Sequence, residues 1–292
     1  MYAIATEARQ YQTIVLSDSA KQTRLEAVPE RGGIVTRWQL NGQEILYLDE
    51  ARFQDPTLSV RGGIPILFPI CGNLPNNTYT YNGQTYTLKQ HGFARELPWV
   101  VLDQQADDNS ARLSLGLSSN EHTLAVYPFE FQLVFTYILQ GNTLTLHQRY
   151  TNQSNVPMPF SAGFHPYFAV QDKDQLRVQI PSSQYDDNVT KSVQAFSGQF
   201  NFELDEIDAA FTELSSRVSS VVDEGRSQRL TLTFSPEFST LVFWTVKGKP
   251  FYCLEPWTAP RNALNTGNHL LHLDPNQSLE LEMQLTVFNL NN

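Results

Sequence analysis

Turn signals between short alternating segments are the feature of this sequence that most restricts its fold. Asn41-Gly42 and Asn82-Gly83 are dipeptides that close two-residue β-hairpins, and Gln140-Gly141-Asn142 separates two further strand-like segments. Around Asn82-Gly83, aromatic residues alternate with polar ones in YTYNGQTYTL, as in a half-buried hairpin. Turn signals recur about every ten residues, a spacing typical of antiparallel sandwiches and barrels rather than of βαβ units.

Sustained helical periodicity is missing from the sequence, and the best short helical candidate is residues 204–214. The pattern therefore predicts an all-β protein, a large β-sandwich of two antiparallel sheets packed face to face. Nothing in composition marks a boundary, and β domains can reach roughly 250 residues as one unit, so we predict a single domain over residues 1–292. Residues 251–254 are expected to form a strand closed by Pro256, and residues 270–290 a terminal hairpin.

Composition excludes several classes of partner. The net charge of −10 argues against binding to nucleic acid or to an anionic membrane. The two cysteines, Cys71 and Cys253, lie far apart in no metal-type spacing, which favours a reducing compartment. There is no signal-peptide pattern and no apolar run near the ~20 residues that span a bilayer. We expect a soluble, cytoplasmic protein that is a monomer or a weak homodimer.

The segment FYCLEPWTAPRNALNTG, residues 251–267, carries a notable carboxylate. Because a proline disfavours the α region for the residue before it, Glu255 is biased to an extended backbone. A carboxylate at a strand end beside Trp257 suits the floor of a small-molecule pocket, although a surface acid is the simpler interpretation. Cys253 should share the strand face of Glu255. Arg261 is expected to tie the following loop together.

The segment FSAGFHPYF, residues 160–168, repeats this arrangement with a histidine. His165 precedes a proline and lies among aromatic residues. Burial there disfavours the imidazolium and lowers the pKa of the histidine, while a neighbouring carboxylate would oppose that shift. Such a histidine suits general acid or base catalysis near neutral pH.

Three other segments could supply polar anchors. Arg61 opens RGGIP with five potential donors, and the paired glycines would allow close approach of the backbone to a ligand, or simply a buried, irregular crossing. QHGFAR contains His91 and Arg95. Asp208 lies among several acids in ELDEIDAAFTEL, where a solvated acidic turn is the alternative interpretation.

Other reaction classes have little support. The sequence has no G-x-S-x-G, H-E-x-x-H, Walker or G-x-G-x-x-G motif. His269 and His272 would point to opposite faces of a strand, so we expect no metal site from them. A pair of glycosidase carboxylates stays possible. One histidine and one glutamate without a nucleophile suit proton transfer on a polar, neutral substrate such as a sugar.

Four motifs together resemble the aldose 1-epimerases (mutarotases), including their hexose-6-phosphate mutarotase branch. They are RGGIP at 61–65, QHGFAR at 90–95, GFHPYF at 163–168 and LEPWTAPRNALNTG at 254–267. The resemblance implies a large antiparallel β-sandwich of the galactose mutarotase-like type. It also implies the interconversion of α and β anomers of a hexose without a cofactor.

The resemblance further implies roles for individual residues. Glu255 would be the general base that takes the proton of the C1 hydroxyl, and His165 the general acid that protonates the ring oxygen. The residues that would position the sugar are Arg61, His91, Arg95 and Asp208. The RGGIP form is similar to the hexose-6-phosphate branch, so a glucose-6-phosphate 1-epimerase, with Arg61 and Arg95 near the phosphate, is an alternative. A non-catalytic sugar-binding module is another.

Overall fold

Short strands make up most of the chain in this computed structural model, which describes residues 1–290. The first strands are β1 (Tyr2–Ala8), β2 (Gln12–Asp18), β3 (Thr23–Val28), β4 (Ile34–Leu40), β5 (Gln43–Glu44), β6 (Ile66–Leu67), β7 (Thr78–Tyr81), β8 (Gln84–Thr87) and β9 (Val100–Ala106). The middle strands are β10 (Ala111–Ser118), β11 (Phe131–Gln140), β12 (Thr143–Asn152), β13 (Met158–Phe160), β14 (Gly163–Phe164), β15 (Tyr167–Ala169), β16 (Leu176–Gln179), β17 (Gln184–Asp187) and β18 (Ser192–Ala195). The last strands are β19 (Glu206–Phe211), β20 (Val218–Asp223), β21 (Gln228–Phe234), β22 (Thr240–Val246), β23 (Phe251–Trp257), β24 (Leu271–Leu273) and β25 (Ser278–Asn289).

Helical structure is confined to short segments. The α-helices are α1 (Glu50–Gln54), α2 (Glu121–Val126) and α3 (Ala263–Thr266), and the 3₁₀ turns are Pro29–Arg31, Pro75–Asn77 and Lys173–Gln175. Within residues 1–290 no helix combines the length and the apolar character that crossing a bilayer requires.

Two eight-stranded antiparallel sheets form the body of the fold, as predicted. The back sheet has the order β16-β20-β21-β25-β12-β11-β10-β9, and the site sheet has the order β18-β17-β19-β22-β23-β14-β6 with β15 paired to β23. Their inner faces share one hydrophobic core, in which Phe135 of the back sheet packs on Phe164 of the site sheet with ring centroids 5.9 Å apart. The remaining strands form a five-stranded sheet, β1 to β5, and two two-stranded sheets.

Side-chain alternation explains how the back sheet packs. Along β11, residues Leu133, Phe135 and Tyr137 are buried in the core, and the residues between them are more exposed. The central strand of the site sheet behaves differently, because all seven residues of β23 are buried. A strand covered on both faces loses the polar alternation. One face of β23 is therefore available for a protected site.

The expected hairpins at Asn41-Gly42 and Asn82-Gly83 are confirmed, since β4 pairs with β5 and β7 with β8. The helix considered for 204–214 is wrong, because β19 pairs along its length with β22. The terminal hairpin is also wrong: β24 pairs with β13, while β25 enters the back sheet between β12 and β21. The strand expected to stop before Pro256 continues to Trp257.

Candidate active site

A row of side chains crosses the site sheet because its strands are in a particular register. Asp208 on β19 lies opposite Trp244 on β22, Trp244 lies opposite Cys253 on β23, and Cys253 lies opposite Tyr167 on β15. Residues directly opposite one another on neighbouring strands point to the same face. Glu255 lies two residues beyond Cys253 and shares that face. The sheet thus collects residues that are distant in sequence.

A cleft of about 410 Å³ opens over this face, a size within the usual range for small-molecule sites. The polar and aromatic residues that line it are Arg52, Ser59, Arg61, Gln90, His91, Arg95, His165, Tyr167, Glu206, Asp208, Trp244, Glu255, Trp257 and Arg261. All six residues singled out from the sequence are among them. They come from five separate segments, which the fold brings together.

The RGGIP loop holds the histidine segment in place. The backbone N–H of His165 donates to the carbonyl of Pro65 at 3.1 Å, and that of Tyr167 donates to Gly63 at 2.9 Å. Gly63 has φ +62°, and a Cβ there would lie 2.2 Å from the carbonyl oxygen of Val35. The close approach that this glycine permits is therefore to the chain's own backbone, and not to a ligand as the sequence suggested.

His165 and Glu255 are neighbours on the floor of the cleft. The histidine Nε2 lies 3.4 Å from Oε1 of the glutamate, and the two side chains are only 10% and 1% exposed. Burial raises the pKa of Glu255 well above its usual value; the negative charge of Asp208 adds to this rise, and Arg261 opposes it. Burial, with the positive charge of Arg95, lowers the pKa of His165 to about 3. Over a wide pH range the pair therefore holds one proton between its two members.

His91 has a defined tautomer in the structure. Its backbone is left-handed, at φ +66°, and its N–H donates to the carbonyl of Gly72 at 2.7 Å. In return, the N–H of Gly72 donates to Nδ1 of the ring at 3.0 Å. Because Nδ1 accepts, the hydrogen-bond network assigns the ring proton to Nε2. Burial lowers the pKa of His91 well below its usual value, so the neutral ring offers one N–H donor at the cleft.

Asp208 is engaged by an arginine. Nη2 of Arg261 donates to both carboxylate oxygens, at 2.8 and 2.6 Å, and Asn188 donates to Oδ1 at 3.1 Å. The solvated acidic turn considered for Asp208 is thus wrong. Arg261, expected only to tie its loop, lines the cleft with its guanidinium 5.5 Å from the ring centroid of Trp257. A carboxylate paired in this way is poorly suited to be the second acid of a glycosidase.

Three other arginines line the cleft, and Arg95 lies at the end where the cleft meets a neighbouring depression. Arg95 and Ser59 line both cavities. Nη2 of Arg95 donates to the carbonyl of Gln90 at 2.9 Å, and Nε of Arg52 donates to that of Ser59 at 3.1 Å. Arg61 is exposed. Among residues 1–290, no carboxylate lies within 4.0 Å of any of these three guanidiniums, so their charges are available to an anion.

Sequence reasoning missed several lining residues. Glu206 and Asp208 are two apart on β19, a spacing that would have placed both on one face had the segment been interpreted as a strand. Trp244 donates its indole N–H to Oε1 of Glu206 at 2.7 Å, but its surroundings in TLVFWTV look like an ordinary core strand. Arg52 has no local signal either, because its position depends on the packing of α1 near the cleft.

One group in the described chain has the side chains to hold a metal ion. His165, Cys253 and Glu255 each offer one ligand atom, and these atoms all lie within 4.8 Å of one another. His269 and His272 are exposed and do not belong to this group.

Comparison with known proteins identifies similar folds over nearly the whole chain. The Slr1438 protein of Synechocystis sp. PCC 6803 is 48% identical, with a TM-score of 0.94 over 99% of this chain and all of that one. A galactose mutarotase-like protein from Clostridium acetobutylicum is 20% identical, with a TM-score of 0.83 over 99% of both chains. The second likeness concerns the fold alone.

Sequence comparison is more specific about the family. A protein of Cenchrus ciliaris named "Putative glucose-6-phosphate 1-epimerase" is 30% identical over 221 residues, which are 69% of this chain and 61% of that protein. The match thus spans about three fifths of that relative's length. The family model described as aldose 1-epimerase matches residues 14–286. With this match across nearly all of its length, the chain belongs to the aldose 1-epimerase family.

Proposed function

We propose that the protein is an aldose 1-epimerase, which interconverts the α and β anomers of a hexose by opening its ring. The observation that carries the proposal is the separation of 3.4 Å between Nε2 of His165 and Oε1 of Glu255 on the floor of a sugar-sized cleft. The C1 hydroxyl oxygen and the ring oxygen of a pyranose are bonded to the same carbon. Two adjacent side chains can therefore reach both oxygens at once.

The reaction needs only proton transfers. Glu255 as carboxylate takes the proton of the C1 hydroxyl, the bond between C1 and the ring oxygen breaks, and protonated His165 gives its proton to that oxygen. The product is the open aldehyde. Rotation about the bond between C1 and C2 presents the other face, and the two side chains reverse their roles as the ring closes.

Burial acts on the two arrangements of the proton that the pair shares. Ring opening uses the ionised arrangement, which is the minor one, and leaves both members neutral. The buried floor favours the neutral forms, raising the pKa of Glu255 and lowering that of His165. The site is therefore matched to the open-chain intermediate, in keeping with the rule that catalysis needs interactions that strengthen along the reaction.

Other lining residues would orient the sugar. His91 offers its Nε2–H to a hydroxyl, and Arg261, held by Asp208, offers the guanidinium donors that the aspartate leaves free. Trp244 and Tyr167 supply flat apolar surface for the C–H faces of the ring. Polar groups in separate loops and rings on the sheet thus form one binding site.

Polarimetry on freshly dissolved α-glucose and α-galactose tests the proposal. The wild-type protein should accelerate mutarotation, and Glu255→Gln should lose roughly 10²–10⁴-fold in rate, the usual contribution of a positioned acid or base. Glu280→Gln, an exposed change in the back sheet, is the matched control and should keep the wild-type rate. A wild-type protein no faster than the spontaneous reaction on every sugar tried, phosphorylated or free, would overturn the proposal. Saturable binding without turnover would instead identify a binding module.

A second candidate is the same reaction on hexose 6-phosphates. Arg52, Arg61 and Arg95 line the cleft and have no carboxylate partner among the described residues. Guanidinium groups bind phosphate well because their donors match its oxygens in pairs. The name of the Cenchrus ciliaris relative points the same way. The phosphate would occupy the arginine end of the cleft while C1 reaches the two proton-transfer residues.

Comparing glucose with glucose 6-phosphate at two salt concentrations separates the candidates. Preference for the phosphorylated sugar should weaken at high salt, because partly exposed charges are screened. Arg61→Ala and Arg95→Ala should each remove most of that preference, whereas Arg229→Ala, an exposed arginine on β21, should not. A preference for the phosphate that survives both cleft variants would contradict phosphate binding at this end.

A further inference from the structure

Cys253 lies beside the two proton-transfer residues, yet none of the proposed steps uses its thiol. It shares the face of β23 with Glu255 and pairs across to Tyr167, two residues after His165. One ligand atom each from His165, Cys253 and Glu255 fall within 4.8 Å of one another, and all three residues are buried. The site thus contains a third reactive group without a role.

The distance between two of these atoms equals the distance between two ligand atoms in a tetrahedral metal site. Zinc bonds to histidine nitrogen and carboxylate oxygen at about 2.0–2.2 Å, so tetrahedral ligands lie about 3.4 Å apart. Nε2 of His165 and Oε1 of Glu255 are separated by 3.4 Å. The same separation is longer than a good hydrogen bond, for which about 2.7–3.2 Å is normal.

An unused polar atom supports the same conclusion. Oε2 of Glu255 is buried and has no hydrogen-bond partner of good geometry within residues 1–290, although the indole of Trp257 lies near the carboxylate. A carboxylate that is 1% exposed and keeps one oxygen unpaired is costly, and such an atom calls for an ion or another missing partner. Because Glu255 and His165 also line the cleft, a cation between them would keep an open coordination position facing it.

We propose that His165, Cys253 and Glu255 form a binding site for a divalent cation of the Zn²⁺ class, and that its occupation blocks the proton-transfer pair. Imidazole, thiolate and carboxylate are the ligands that zinc takes, and the thiolate excludes hard cations such as Mg²⁺ as good occupants. On binding, the thiol proton and the proton of the pair leave to solvent. The metal then occupies the lone pairs of Nε2 and Oε1 that the reaction requires.

The surroundings set the strength of such a site. The positive charges of Arg95 and Arg261 act on this part of the cleft and oppose a cation. Within the described part of the chain, Nδ1 of His165 lacks the outer hydrogen-bond partner that zinc-bound histidines usually have, a loss worth roughly 10–100-fold in affinity. The metal is therefore a reversible inhibitor that chelators remove, and not a structural ion.

The test measures metal binding directly, so that it stands whether or not the epimerase proposal holds. Chelator-treated wild-type protein is titrated with Co²⁺, whose thiolate complexes absorb in the near ultraviolet, and with Zn²⁺ by calorimetry. We expect one metal per chain and a thiolate-to-cobalt band. Cys253→Ala should lose the band and at least about tenfold in Zn²⁺ affinity, since one of three protein ligands is gone. Cys71→Ala, the matched change at the other buried cysteine, should keep both.

Two results would overturn the proposal. One is a wild-type protein that shows no thiolate-to-cobalt band, a measurement that needs no variant to fold. The other is a folded Cys253→Ala protein, or Cys253→Ser if the first does not fold, that binds Zn²⁺ as tightly as wild type. If mutarotation is detected, Zn²⁺ should inhibit wild type and Cys71→Ala at concentrations that leave Cys253→Ala active, and a chelator should restore the rate.

Discussion

The activity of the His165–Glu255 pair depends on how many protons the two side chains hold together. Burial separates the two pKa values, so that one proton is shared from about pH 3 up to the raised pKa of the glutamate. Ring opening moves that proton without changing the total. The active form should therefore be lost on the alkaline side when the pair gives up its last proton.

Substitutions beside the pair should move this alkaline limb in opposite directions. Asp208 raises the pKa of Glu255 and Arg261 lowers it. We predict that Asp208→Asn shifts the alkaline limb of the kcat/KM profile to lower pH and that Arg261→Gln shifts it to higher pH. Each variant should also lose roughly tenfold or more in kcat/KM, because each substitution breaks a charge-assisted hydrogen bond. The measurement is mutarotation of an unphosphorylated sugar, which does not itself titrate nearby. Two variants that shift the limb in the same direction, or not at all, would contradict this electrostatic account.

Glu255 should also lower the stability of the folded chain. Its folded pKa is raised above the usual value near 4.5, so the unfolded state releases the proton first as pH rises, and the cost grows with pH. We predict that Glu255→Gln raises the free energy of unfolding by about 0.5–2 kcal/mol at pH 8, a usual scale for substitutions at functional residues, and that the gain vanishes as pH falls to 4.5. Thermal unfolding between these pH values measures it. Glu280→Gln is the control, and a gain that grows toward acid pH would be the wrong sign.

At the scale of elements, the register of the site sheet is what assembles the cleft. Strands β19, β22, β23 and β15 place Asp208, Trp244, Cys253 and Tyr167 in one row. The sequence predicted two of these strands, β22 and β23, and the bias of Glu255 toward an extended backbone. It could not predict the row, because the partners are dozens of residues apart and local patterns do not specify which strands pair.

The wrong predictions from the sequence have the same origin, which is pairing between residues that are distant in the sequence. Residues 204–214 carry acids and alanines that tolerate a helix, but pairing with β22 decides their structure. Residues 270–290 contain a turn signal, Asp274 to Asn276, yet the strands on either side belong to different sheets. Arg261 was assigned to its own loop because its partner, Asp208, lies 53 positions away. Motif resemblance located the candidate residues, and only the folded chain gives their contacts.

The turn that carries His91 requires a glycine at position 92, because there is no room for a Cβ atom there. Gly92 has φ +69°, and a Cβ there would lie 2.2 Å from the carbonyl oxygen of Phe68. That carbonyl accepts hydrogen bonds from the N–H groups of Phe93 and Ala94, at 3.0 and 3.2 Å, which a displacement would break. Gly83 offers a contrast, since its φ is +79° but a Cβ there would meet nothing within 4 Å.

We predict that Gly83→Ala costs about 1–2 kcal/mol, the usual penalty for a left-handed alanine. Gly92→Ala should cost more, about 2–5 kcal/mol, because overpacking adds to that penalty. Urea unfolding of both variants measures the difference in their free energies of unfolding, provided that the dependence of this free energy on urea concentration is the same in both. Gly92→Ala should also weaken activity by displacing His91. Equal losses of stability in the two variants would show that space around Gly92 is not limiting.

At the scale of the whole molecule, global charge and local charge disagree. The chain carries a net charge of −10, yet Arg52, Arg61 and Arg95 line the cleft without carboxylate partners in the described chain. Composition argues against nucleic acid as a general partner, but it says nothing against a small anion. Local arrangement therefore decides which small ligands the cleft attracts.

The sheets of this fold should unfold together, because they share one core. One hydrophobic core runs from Ile14 in the five-stranded sheet, through Leu133 in the back sheet, to Phe243 in the site sheet. The last strand, β25, lies in the middle of the back sheet between β12 and β21, so the end of the chain completes a sheet begun far earlier. Removing any one sheet would expose the core of the others, which is why we predict a single domain.

Calorimetry should accordingly show one unfolding transition whose calorimetric and van't Hoff enthalpies agree. Because the cleft draws on loops from several segments, a bound sugar should move that whole transition upward. At a free ligand concentration of about 100 Kd the gain is about 2.7 kcal/mol. Glucose, or glucose 6-phosphate if the arginine end binds phosphate, is the ligand, and a sugar alcohol that cannot cyclise serves as the control. Two transitions, of which the ligand moves only one, would show that the sheets unfold as separate units.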